Sequence, residues 1–326
     1  MPSWATKANP LSNEHLTIGN RQLKIGNTLA ECVPNFSEGR RIEIVERLAH
    51  AIAGVKTACV LDTHMDPDHN RSVITFVAAP EMVVEAAVRV VAVAAELIDM
   101  RRHTGQHPRL GATDVLPFVP VRGVTLDDCV KLAHQAGERI ARELSIPVFF
   151  YERAALKPDR VNLENVRRGA LELLREQIAL EPTRAPDVGP LRVHETAGAI
   201  AVGARPFLIA FNVNLRTSDP AIARRIARAV RARHGGLPFL KALGFELSTR
   251  GLVQVSMNLV NYGETGMRQA YDAVCREADK LGVEIVSTEI AGLVPENALD
   301  KDAEYFQKLE NFTEDKILES RMRACE

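Results

Sequence analysis

No stretch of this sequence approaches the roughly 20 consecutive apolar residues of a bilayer-crossing helix, which excludes a membrane-embedded role. Basic charge is not in excess either: 41 Lys and Arg stand against 42 Asp and Glu, a formal net charge of −1. A general nucleic-acid binder carries a clustered basic surplus, so no nucleic-acid partner is expected. Cysteines are few. The five of them, Cys32, Cys59, Cys129, Cys275 and Cys325, are odd in number, widely spaced and set in apolar segments, which predicts reduced, structural thiols in a cytoplasmic protein. No GxxxxGK[ST] or GxGxxG follows a strand-like run, and Gly189, Gly198 and Gly203 form no such fingerprint, so no nucleotide cofactor is expected. No serine sits in a nucleophile elbow and no cysteine is flanked so as to be activated. Residues 1–28 lack the apolar centre of a signal peptide and read as a flexible arm.

What is present is the composition of a globular chain, 46% apolar and 25% charged, long enough for two domains. Strand-like runs appear at 29–33, 58–61, 73–78 and 114–121, with helical periodicity at 42–52 and from Pro80 to about Met100. Pro80 is tolerated in a first turn. A further helix, 126–144, and strand, 147–151, follow. A charged helix over 161–180 then leads to a Pro- and Gly-rich connector, 181–203. Beyond it the pattern restarts, with strands at 206–215, 240–247, 252–259 and 283–290 and helices at 220–233 and 266–281. The order β-α-β-β-α-β thus occurs twice. The fold class is α+β, with two tandem split-βαβ domains, 29–203 and 204–326, whose helices cover one face of each sheet. The tail, 295–326, is helical in composition and is expected to pack on the second domain.

The stretch from Leu97 to Val124, reading LIDMRRHTGQHPRLGATDVLPFVPVRGV, joins an apolar helix to an apolar strand and is too polar and rigid for a spacer. Pro108 pushes His107 into an extended backbone state. Gly105 and Gly111 bracket it and permit close approach. An imidazole exchanges a proton near neutral pH, and Arg109 can clamp a carboxylate with its planar fork.

Two further sets are visible. His64, Asp66, Asp68 and His69, with His103 and His107, have the residue types of a Zn or Mn site. Gly105 and Pro108, however, break the helix on which His103 and His107 would act as an i, i+4 pair, and Asp side chains that tie a tight turn explain the hairpin equally well. Arg40, Arg71, Arg109, Arg122, Arg192 and Arg205 lie at element edges where they can face a shared cleft.

ECVPNFSEGR (31–40), DHNRSV (68–73), LIDMRRHTGQHPRLGATD (97–114), PFVPVRGVT (117–125) and FLIAFNVNL (207–215) together resemble the glutamate formimidoyltransferase family, from about Leu29 to Pro295. The resemblance implies transfer of a formimidoyl group from N-formimidoyl-L-glutamate to N5 of tetrahydrofolate, the co-substrate, in histidine degradation, with no metal or nucleotide. It places the active histidine at His107. It places the folate-contacting segment at Val188, Gly189, Pro190, Leu191, Arg192, Val193, His194, Glu195, Thr196 and Ala197. Animal members have an acidic residue where this chain has His64, so Asp62 and Asp66 are nearby substitutes and Asp62 joins His107 and His64 as a catalytic candidate. Asn70, Arg71, Arg109 and Arg122 are the expected substrate-binding residues. A homodimer is expected. Animal members carry a fused cyclodeaminase, so a separate cyclodeaminase is a candidate partner here.

The chemistry agrees with the residues. Attack of the folate nitrogen on an amidine carbon gives a tetrahedral intermediate that must lose the glutamate nitrogen as a neutral amine, so one group must take a proton and return one. Histidine suits both steps, at about 10²–10⁴ in rate. An aspartate facing the protonated amidine favours its binding, and arginine clamps on the glutamate carboxylates hold the two substrates together. The alternatives are a metal-dependent amidohydrolase using the His and Asp loops, and a non-catalytic folate-binding protein.

Overall fold

The computed structural model describes residues 27–67, 69–105, 108–247 and 250–326; the expected N-terminal arm lies almost wholly outside them. Strands β1 (Leu29–Cys32) and β2 (Asn35–Phe36) lead to helix α1 (Ile42–Ala53), the hairpin β3 (Cys59–Asp66) and β4 (Arg71–Ala78), helix α2 (Pro80–Leu97) and strand β5 (Thr113–Arg122). Helix α3 (Leu126–Leu144) and β6 (Val148–Glu152) follow, then the short helices α4 (Leu163–Val166) and α5 (Ala170–Gln177) and strand β7 (Ile200–Ala204). The second unit consists of β8 (Ile209–Leu215), α6 (Pro220–Val230), β9 (Leu240–Leu247), β10 (Leu252–Leu259), α7 (Met267–Lys280) and β11 (Ile285–Ala291). Helices α8 (Glu304–Gln307) and α9 (Leu318–Arg323) end the chain.

The doubled β-α-β-β-α-β order holds. In the second unit the sheet order is β11-β8-β10-β9, all antiparallel. In the first, β5, β1/β2, β4 and β3 repeat that order, and β7 and β6 extend it in parallel beyond β5. Local chemistry explains the sharp helix ends. A capping box between Thr125 and Asp128 opens α3, and Ser145 in the left-handed region closes it. Helices α1, α2 and α3 pack their apolar faces on one side of the first sheet, and α6 and α7 on one side of the second; the opposite side of the first sheet, its open face, is covered only in part, by α4 and the end of α5 over β5, β7 and β6 and by the tail over β1, β3 and β4.

Five expectations are corrected. Residues 181–203 are not a plain connector, because 200–204 form the buried strand β7, between β5 and β6 in the first sheet; its run of small residues, AIAVGA, gave no alternation to read. That segment therefore lies inside the first unit, and the chain crosses to the second only after β7. The single helix over 161–180 is broken, since Gly169 and Ala170 both take positive φ, +75° and +53°. Strand β3 runs on to Asp66, so Asp62 and His64 stand on a strand rather than in a turn. Finally, the tail spans both units. Tyr305 is buried in the second core, whereas Leu318 and Met322 pack with Leu29, Leu61 and Val77 on the open face of the first sheet. There Cys325 meets Cys59 in a disulfide, with a Cα–Cα distance of 6.3 Å, so these two are not the reduced thiols expected from the odd number and apolar setting of the five cysteines. Among the described residues no helix is long and apolar enough to cross a membrane.

Candidate active site

At one end of the first sheet four loops are tied together by backbone hydrogen bonds. Ser37 donates from its N–H to Ala112 O (2.9 Å) and from Oγ to Gly111 O (2.8 Å). Asn70, at φ +50°, accepts on Oδ1 from Gly39 N–H (3.0 Å) and donates from Nδ2 to Thr104 O (3.1 Å). Met100 N–H donates to Thr196 O and Ala112 N–H to Ala197 O, both at 2.8 Å. The bond to Thr196 also explains why α2 stops at Leu97, short of the expected Met100. Two glycines make the approach possible: a Cβ on Gly39 would run into the Asp66 and Arg71 backbone, and one on Gly111 into Ala197 and Ala199.

This knot holds the histidine loop against the segment 188–197. Val188 O accepts from Val148 N–H (3.0 Å), and Gly189 turns at φ +98°. Pro190, Leu191 and Arg192 form the outward bend, with Leu191 exposed. Val193 packs inward between the apolar clusters on the two faces of the sheet. His194 exchanges backbone bonds with Gly198 (2.8 and 3.0 Å) and accepts on Nδ1 from Ala197 N–H (3.1 Å). Glu195 pairs with Arg101 at 2.7 Å. The segment expected to contact folate thus lies beside the loop expected to carry the reactive histidine.

His107, with Gln106 and Asp68, lies outside the described residues. The described residues of the loop and of the hairpin beside it are placed. His103 is half-buried; Nε2 donates to Asn70 O (3.2 Å) and Nδ1 accepts from Arg109 Nε (3.3 Å). Burial, opposed by the Asn70 bond and assisted by Arg109, lowers its pKa below the usual value, so it is a neutral imidazole with both nitrogens engaged. Arg109 forms a two-pronged pair with Glu172 of α5, at 2.7 and 2.9 Å. Asp66 ties the hairpin by accepting from His69 N–H (2.9 Å) and facing His69 Nδ1 (2.6 Å). Among the described residues no three His, Cys, Asp or Glu gather as metal ligands.

The open face of the sheet supplies the rest. Pairing of β3 with β4 sets Asp62 opposite Thr75, His64 opposite Val73 and Asp66 opposite Arg71, so Asp62, His64 and Arg71 share that face. Asp62 is buried and His64 exposed. Arg71 donates from Nη1 to Asp114 Oδ2 (2.8 Å) and from Nη2 to Asn35 Oδ1 (2.8 Å). Arg167 closes on the same Asp114 oxygen, and Leu110 N–H donates to Oδ1 (2.9 Å). Burial alone would raise the Asp114 carboxyl, but Arg167 and Arg71 outweigh it and bring it down to about 2. Arg122, at the other end of β5, is exposed and paired with Glu326. At ~3.3 Å per residue it stands about 30 Å from Thr113 and is not brought to this cluster.

Glu31, Asp114 and Arg167 were not singled out from the sequence. An acid inside the apolar run LAEC was the available signal for the first. Glu31 is 1% exposed on the open face of β1, and its Oε1 has no hydrogen-bond partner. Burial pushes its carboxyl up from 4.5 to about 7, against the pull of Arg205. Because the folded state then holds the proton more tightly than the unfolded chain, this contribution to stability is complete below pH 4.5 and disappears as the pH rises through about 7. Glu31→Gln should therefore flatten the pH dependence of unfolding by up to about 3 kcal/mol, read as urea midpoints at pH 5 and pH 8. An unchanged difference between the two midpoints would place the titration elsewhere.

Two split-βαβ units thus carry carboxylates, arginines and histidines on and beside the open face of the first sheet, an arrangement suited to small polar substrates. Residues 29–205 match the N-terminal subdomain of the formiminotransferase domain and residues 210–322 the formiminotransferase domain itself. The chain belongs to the formiminotransferase family. It is 50% identical to the glutamate formimidoyltransferase of Thermoplasma acidophilum over 300 residues, 91% of this chain and 98% of that protein. It is 43% identical to the enzyme of the same name from Streptococcus pyogenes over 295 residues, 90% of this chain and 98% of that one. With the formimidoyltransferase-cyclodeaminase of Sus scrofa it shares 42% identity over 289 residues, 87% of this chain and 53% of the longer protein.

Proposed function

We propose that the chain transfers the formimidoyl group of N-formimidoyl-L-glutamate to N5 of tetrahydrofolate, in histidine degradation. The observation that carries this reading is its match along nearly the whole length of proteins named glutamate formimidoyltransferase. His107 takes the proton from the attacking folate nitrogen and delivers one to the departing glutamate nitrogen. Asp62 and His64, on one face of β3, meet the amidine, and the Asp62 carboxylate favours its protonated form. Residues 188–197 contact the folate, supported by their bonds to the histidine loop.

Of the arginines, Arg109 is best suited to the substrate carboxylate. Its partner Glu172 has a side chain 64% exposed against 14% for that of Arg109, so an incoming carboxylate can replace Glu172 in the same fork. Arg71 and Asn70 serve by holding the loops in place. A cytoplasmic homodimer, with cyclodeamination performed by a separate protein, completes the proposal.

The test is turnover of N-formimidoyl-L-glutamate dependent on tetrahydrofolate, without added metal or nucleotide. Full inhibition by a chelator, reversed by zinc, would favour the hydrolase instead. Tight folate binding without turnover would favour a carrier.

A further inference from the structure

The open face of the C-terminal sheet carries a polar network that the proton-transfer chemistry does not use. Across the strands Asn214 lies between Ser287 and Gln254, with Phe245 at the edge. One row on, Asn212 pairs with Glu289, and Leu243 is at the edge. Asn214 donates to Ser287 Oγ (3.0 Å) and accepts from Gln254 Nε2 (2.9 Å), which orients the Gln254 amide. Glu289 has no cation beside it among the described residues. Among the described residues it receives two long contacts, from Asn212 Nδ2 (3.3 Å) and Gln254 Nε2 (3.5 Å). Asn212 is 8% exposed, and its Oδ1 has no partner. A half-buried carboxylate short of donors and an orphaned amide oxygen together describe a surface that lacks a donor-bearing group.

The face is turned toward the first sheet. Phe245 meets His69 edge-on, ring centroids 6.4 Å apart, and Lys241 of β9 lies 4.0 Å from Glu152. Leu293, just past β11, packs with Cys59, Leu61 and Val77 on the open face of the first sheet. His69 belongs to the hairpin against which Gly105 of the histidine loop is pressed. The network therefore lies on the side of the second sheet that faces the candidate active site.

We propose that Glu289, Asn212 and Gln254 seat the aminopyrimidinone edge of the reduced pterin, with Leu243 and Phe245 as its apolar wall. The inference rests on the function proposed above and names the part of the co-substrate bound here. That edge presents a ring N–H and an exocyclic amine side by side, two parallel donors matching the two oxygens of a carboxylate. Leu243 and Phe245 are 57% and 39% exposed and offer a flat ring the apolar contact it needs. The amidine of the other substrate is also a two-donor fork. Its glutamate α-carboxylate, however, sits only a few bonds away and would be pressed against Glu289, whereas the glutamate of folate lies beyond the whole p-aminobenzoyl spacer.

The experiment is steady-state kinetics of Glu289→Gln and Leu243→Glu, with calorimetry of 6-methyltetrahydropterin binding to the same proteins. Each variant should raise KM for tetrahydrofolate about tenfold to a hundredfold, leave KM for N-formimidoyl-L-glutamate within twofold, and abolish binding of the pterin fragment. Leu243 is a surface side chain, so its variant reads the site even if Glu289→Gln fails to fold. An unchanged KM for tetrahydrofolate, or a raised KM for the formimidoyl donor, overturns the inference. Absence of turnover in the wild type overturns the proposed function, and the calorimetry still decides the pterin seat.

Discussion

His107→Asn should turn over about a hundredfold more slowly than the wild type, or worse, while binding tetrahydrofolate equally well. Asparagine keeps much of the hydrogen-bonding shape of the imidazole and removes the group that titrates near neutral pH. General acid–base catalysis by such a group commonly supplies ~10²–10⁴ in rate. The loss should appear in kcat rather than in affinity, because the proton is in flight only in the transition state. Its neighbour His103 makes a poor substitute: both ring nitrogens are engaged, by Asn70 O and Arg109 Nε, and burial keeps the ring neutral. Normal turnover by a His107→Asn protein with an unchanged melting profile would make His107 structural and move the search to Asp62 and His64 on β3.

Asp114→Ala should cost about 3–5 kcal/mol of stability, since removing one member of a buried ion cluster strands the others. The carboxylate is fully buried and receives Arg71, Arg167 and the Leu110 N–H together. Without it two half-enclosed guanidiniums face each other and the histidine loop loses its anchor at Leu110. Turnover should therefore fall together with stability. Titration gives an independent reading. A carboxyl at about 2 when folded, against an ordinary 3.8, stabilises the protein above pH 3.8 and loses that contribution as the pH falls toward 2, so the acid limb of unfolding should be shallower in the variant. A urea midpoint within the error of the wild type would show that the two arginines find other partners.

Periodicity made most of the elements legible. Strands β9 and β10 and helix α3 begin and end where the alternation, the Thr125 cap and the apolar stripe place them, because those signals are local and agree with one another. Strand β7 was hidden because a small-residue strand buried on both faces has no polar side to alternate with. The break in the helix over 161–180 was missed because two consecutive residues of positive φ are a tertiary outcome, forced where Leu171 N–H bonds to Arg109 O.

The site divides the same way. The sequence by itself determined the two repeated units, the family resemblance and the loops that carry the chemistry, since each is written in residues close along the chain. Only the tertiary structure decided which charges meet. It gave Arg109 to Glu172, 63 residues away, and Arg71 to Asp114, 43 away. It sent Arg122 to the far end of β5 and joined Cys59 to Cys325. It placed Glu31 on the same open face as Asp62 and His64, and Glu289 on the side of the second sheet turned toward the first. Ion pairing and burial depend on distance in space and on exclusion of water, and neither is encoded in the spacing of residues along the chain.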